Sequence, residues 1–130
     1  METFTDIKLV GLDTKLTRQS PSAPGMKLVY LNLSAVPPSS WAQIFSQERE
    51  FPRHSMWRHA HVEGDHIVID CVLDEIEKYH LKDIKEDVNN SNLKYRQLIA
   101  QREQHQQRAQ AARDKEQAEV DELAKRLKFD

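Results

Sequence analysis

Glycine is scarce in this 130-residue chain: Gly11, Gly25 and Gly64 each stand alone. A backbone cradle for phosphate needs clustered glycines, so Walker-type loops and dinucleotide fingerprints are excluded. No Gly-x-Ser-x-Gly nucleophile elbow occurs either. Cysteine is nearly absent; the single Cys71 cannot form an internal disulfide, which excludes a disulfide-stapled mini-protein. No stretch approaches the roughly 18 apolar residues that span a bilayer. The start, Met1 to Val10, carries Glu2 and Asp6 and has no basic, then apolar, leader pattern. With a lone thiol, this sets the expectation of a cytoplasmic protein. An excess of one charge is also missing. Nineteen Lys and Arg meet 21 Asp and Glu, a net charge of −2, which weakens the case for a protein that coats nucleic acid.

What is present is unevenly spread. Most large apolar residues precede Ala100, while Gln101 to Gln117 contains no Leu, Ile, Val, Met or aromatic residue. Such a segment cannot bury enough surface to form its own core. The organisation expected is a compact region over residues 1–100 and a polar helical extension over 101–130.

Asp6 to Leu12 reads as a strand, and Arg18 to Gly25, with two prolines and a glycine, as a loop. Lys27-Leu-Val-Tyr-Leu-Asn-Leu33 reads as a central strand because its apolar run is nearly continuous. After Pro37-Pro38, Ser40 with Gln43 has the pattern of a capping box. Trp41, Ile44 and Phe45 then form one face of a short helix ending near Arg49, before Phe51-Pro52. Met56 to Val62 and His66 to Val72 read as a hairpin around Gly64-Asp65. Asp74 with Glu77 repeats the capping-box spacing and opens a long helix. Ile76, Leu81, Ile84, Val88, Tyr95 and Ile99 keep a stripe along it, interrupted by the weak helix formers Asn89 to Asn92. The expectation is continuity through that run. The fold class is α+β: a mainly antiparallel sheet of about four strands, a short helix on one face and a long C-terminal helix. The strand-helix-strand-strand-helix order resembles half of a ferredoxin-like fold, a likeness of fold that assigns no function.

Three groups of residues carry candidate chemistry. His59 and His61, two apart on a strand, share a face, and a two-residue turn at Gly64-Asp65 sets Asp70 opposite His59. Two imidazoles and a carboxylate suit a proton-linked or ligand site, or zinc. The spacing lacks any strong metal motif, and packing histidines are the simpler reading; no metal and no cofactor are expected. Cys71, inside an apolar run, reads as a buried small hydrophobe rather than a nucleophile.

Lys94, Arg102, Arg108, Arg113 and Lys115 fall within about half the circumference of a helix, a stripe that can follow a phosphate backbone. No aromatic residue beyond Tyr95 is interleaved for stacking on bases, and the acidic Glu116 to Glu122 follows. The alternatives for this stripe are a solvated face and pairing with the acidic end of another copy.

A heptad frame places Val88, Tyr95, Arg102, Ala109, Glu116 and Leu123 at one seam position and Asn92, Ile99, Gln106, Arg113, Val120 and Leu127 at the other. The ends are apolar and the middle is polar. Asn92 is either a register-setting polar residue of such a seam or an exposed breaker. Val120, Leu123, Leu127 and Phe129 form a terminal apolar patch. The expected function is a non-catalytic interaction or assembly module, with a second copy or a protein partner on that patch. Nucleic-acid binding by the basic stripe and a metal or acid-base site on the hairpin are the alternatives.

Overall fold

The computed structural model describes residues 3–129. Met1 and Glu2 of the expected compact region, and Asp130 of the expected extension, lie outside the described residues. The fold is α+β. Strands β1 (Leu9–Leu12), β2 (Arg18–Gln19) and β3 (Lys27–Leu33) are followed by helix α1 (Ser39–Glu50). Strands β4 (Ala60–Glu63) and β5 (His66–Cys71) precede a short α2 (Leu73–Glu75), a wide π turn (Ile76–His80) and α3 (Leu81–Arg126). The described residues divide into two compact units, Phe4–Arg96 and Thr3 together with the segment from Gln97 onward. No helix among them is long and apolar enough to cross a membrane.

Within the first unit the sheet order is β1-β3-β5-β4, with β2 also paired to β3. All pairings are antiparallel. Strand β5 lies between β3 and β4, and α1 connects those two, so β3 and β4 run in the same direction. This is the split β-α-β arrangement at the heart of the ferredoxin-like half expected from element order. Here β1 takes the outer place beside β3.

The hairpin register is the one the sequence implies. Glu63 pairs with His66 and Ala60 with Ile69, closing a two-residue turn in which Gly64 has φ +60°. That positive φ is easy for glycine and costly for a residue with a Cβ. Register also decides the faces. Val29, Leu31 and Leu33 of β3 share one face with Ile67, Ile69 and Cys71 of β5, and all are buried. Trp41, Phe45, Ile84 and Val88 are buried in the same unit. Tyr30 and Val68 face the other way and are still covered. The Arg18 guanidinium sits 5.2 Å from the Tyr30 ring centre. The 18–25 segment, expected as pure loop, contributes β2 because Arg18 and Gln19 pair with Leu28 and Lys27.

Neither Ser40 nor Asp74 stands at the N-cap position its spacing suggests. Helix α1 begins at Ser39 after Pro38, whose fixed φ presets the entry, and no side-chain cap is made. Val72, not Asp74, precedes the second helical segment, again without a side-chain cap. Helix α3 passes without a break through Asn89 to Asn92. Asn92 is neither an exposed breaker nor an intermolecular seam residue. It is buried; its Oδ1 accepts from Ile7 N at 3.0 Å and Trp41 Nε1 at 2.9 Å, and its Nδ2 donates to Ile7 O at 2.9 Å. These bonds offset the weak helix propensity of asparagine.

Candidate functional site

The terminal apolar residues are exposed along and just beyond α3: Val120 by 55%, Leu123 by 46%, Leu127 by 48% and Phe129 by 88%. Leu127 N donates to Leu123 O, so the helical turn continues one residue past Arg126. At 100° per residue, Val120, Leu123 and Leu127 fall within about 60° of the circumference, so they form a narrow seam. Solvent-side amides support the same stretch. Gln110 Nε2 donates to Asp114 and Gln117 Nε2 to Asp121, each four residues on. Such pairs hold a helix that has no core of its own.

The basic stripe is partly spent on local contacts. Lys94, in the first unit, is 2.8 Å from the Glu48 carboxylate. Arg113 donates to Gln110 Oε1 at 2.7 Å. Arg102, Arg108 and Lys115 lie on exposed helix. None of this supplies the aromatic platforms that base stacking needs.

On the hairpin, His59 and His61 do come together, with ring centres 6.1 Å apart. Asp70 does not join them. The β4–β5 ladder stops at Ala60 opposite Ile69, one residue short of His59, and Asp70 Oδ2 instead accepts from Ser22 Oγ at 2.7 Å. His61 Nε2 lies 3.3 Å from Glu63. Among the described residues no three His, Cys, Asp or Glu side chains gather to hold a metal ion. The better-built histidine on this face is His66. Its two ring nitrogens lie 3.2 Å from Asp13 and 2.9 Å from Asp65, and its ring meets Tyr30 edge-on at 5.7 Å. The Leu16 backbone N–H, foremost, and His66 hold the Asp13 carboxyl below its ordinary value.

Cys71 is fully buried and burial pushes its thiol up to about 12, so it has no thiolate to offer near neutrality.

Two polar clusters escaped the sequence reading. Asp87, fully buried, receives Arg49 at 3.0 Å and Arg53 at 2.7 Å, with the Arg49 guanidinium stacked 3.7 Å from the Trp57 ring centre. Burial pushes the Asp87 carboxyl up and the Arg49 guanidinium down; the direct contact opposes both shifts. The second cluster is Arg58, Glu75 and His80. Both Glu75 oxygens accept from Arg58, at 3.1 and 3.2 Å, and Glu75 Oε1 also faces His80 Nε2 at 2.9 Å. The first cluster ties the end of α1 and the α1–β4 connection to α3, and the second ties that connection to α2 and the π turn. No spacing rule announces them, because their partners are 38, 34 and 17 residues apart.

An apolar cleft of about 330 Å³ also went unforeseen. It lies between β1 and the start of the long helix, lined by Leu9, Leu12, Leu31, Ile76 and Leu81, with Lys85 as its charged member. Each of these residues belongs to an element the sequence did show. Their convergence depends on how β1 sits against the helix.

Comparisons with family models, with curated proteins and with solved structures gave no match.

Proposed function

We propose that the chain is a non-catalytic interaction module that self-associates through the apolar end of its C-terminal helix. One observation carries this reading: Val120, Leu123, Leu127 and Phe129 are all exposed at the end of a helix whose preceding turns are polar. Each such side chain contributes roughly 1.5 to 3 kcal/mol when buried, and water withholds that gain until something covers the seam. Supporting it, the carboxylate expected beside His59 and His61 is bonded to Ser22 instead, and Cys71 is buried.

The test is sedimentation velocity of the full chain beside Leu123→Asp/Leu127→Asp. The wild type is expected to sediment as an oligomer and the variant as a monomer with an unchanged circular dichroism spectrum. A wild type that stays monomeric at the highest attainable concentration overturns the self-association reading.

A further inference from the structure

We infer that the seam on α3 docks into the β1–helix cleft of a second copy of the same chain. This rests on the reading above and adds what the seam grips.

Two exposed apolar surfaces fit one another in form. One is the seam of Val120, Leu123 and Leu127. The other is the cleft of about 330 Å³ lined by Leu9, Leu12, Leu31, Ile76 and Leu81. Their charges complement each other. Lys85 at the cleft is exposed and forms no ion pair among the described residues. Its own helix offers it no acid: Leu81 and Lys82 stand one turn before it, Val88 and Asn89 one turn after. On the seam, Glu116 lies in the same sector as Leu123, seven residues earlier, and Glu119 lies about 40° beyond it. Both glutamates are exposed and neither forms an ion pair among the described residues. An apolar ridge flanked by unpaired carboxylates thus answers an apolar cleft flanked by an unpaired ammonium.

A narrow helical ridge entering a groove is a common mode of helix recognition, with anchors at i, i+3 and i+7. Val120, Leu123 and Leu127 have that spacing. Every copy carries one ridge and one cleft, so each ridge has a cleft on a second copy to enter. The arrangement also explains why the heptad frame loses its apolar character in the middle. Side-by-side pairing of two α3 helices would place Arg102, Arg113 and Glu116 in the seam, whereas docking of the end alone does not.

The experiment uses full-length chains with charge reversals at exposed positions, followed by sedimentation velocity. Lys85→Glu alone and Glu116→Lys/Glu119→Lys alone are each expected to weaken association about tenfold, because like charges then face each other. Mixing the two variants is expected to restore wild-type association: the reversed cleft of one meets the reversed seam of the other, and the unreversed pair is also complementary. If Lys85→Glu associates like wild type while Leu123→Asp/Leu127→Asp is monomeric, the seam grips something other than the cleft. This inference then falls, self-association stands, and the cleft is left to another occupant. If the wild type is itself monomeric, both fall together.

Discussion

Glu75 and His80 are five residues apart and hydrogen-bonded at 2.9 Å. In a regular α-helix that separation turns side chains about 140° away from each other. The wide turn at Ile76–His80, in which Leu81 N donates to Ile76 O, absorbs the extra residue and brings both onto one face. Arg58 holds Glu75 from the other side, and foremost among the influences it keeps the Glu75 carboxyl below its ordinary value of 4.5. His80 is fully buried; its Nε2–H donates to the carboxylate, and its Nδ1 has no hydrogen-bond partner among the described residues.

A carboxyl whose pKa is lower in the folded state stabilises the fold above its unfolded value and loses that contribution as pH falls through the folded value. Glu75→Gln is therefore expected to cost stability near neutrality, with the gap from wild type shrinking as pH drops below about 4.5. Urea unfolding at a series of pH values measures it. A gap that is constant from about pH 6 to pH 3 contradicts the assignment.

Asp87→Ala leaves the Arg49 guanidinium buried with its carboxylate gone, and is expected to destabilise by about 3 to 5 kcal/mol. Replacing the pair together, as Arg49→Met/Asp87→Leu, removes both charges and is expected to recover much of that loss. A double variant as unstable as Asp87→Ala shows that the cost is packing and not an uncompensated charge.

Asn92→Leu breaks three bonds at once: from Ile7 N, from Trp41 Nε1 and to Ile7 O. It leaves buried backbone and indole groups without partners, for about 3 kcal/mol of destabilisation. Amide exchange at Ile7 should accelerate more than exchange in β5. Equal acceleration at both places would show that Asn92 acts on global stability alone.

Cys71 is expected to resist a thiol reagent in the native protein at pH 8 and to react at once in denaturant. Its thiol is pushed up to about 12 by burial, with Glu75 adding to the rise. Rapid native labelling would place the sulfur at the surface.

Much of the architecture is local physics and was readable residue by residue. Lys27–Leu33 is a strand with the bounds its apolar run implies, and the Gly64-Asp65 turn set the hairpin register correctly. Of the predicted α1 face, Trp41 and Phe45 are fully buried and Ile44 is half-buried. The capping-box spacings misplaced both helix starts. Pro38 supplies the entry to α1 through its fixed φ, and a wide turn follows α2 within three residues of its start. Asp70 went to Ser22, 48 residues away, rather than to His59. A register argument names facing positions, but it cannot name a loop that arrives from elsewhere.

Sequence by itself determined the α+β class, the strand that lies at the sheet's centre, the helical character of residues 101–126 and the apolar spacing at Val120, Leu123 and Leu127. Those follow from periodicity and turn chemistry, whose range is a few residues. Tertiary structure decided that Asn92 would face inward, that Asp87 would gather two arginines, and that β1 and the start of the long helix would enclose a cleft beside Lys85. The reason is chain connectivity: desolvation, ion pairing and cleft shape depend on which distant segments meet, and that is a property of the packed whole.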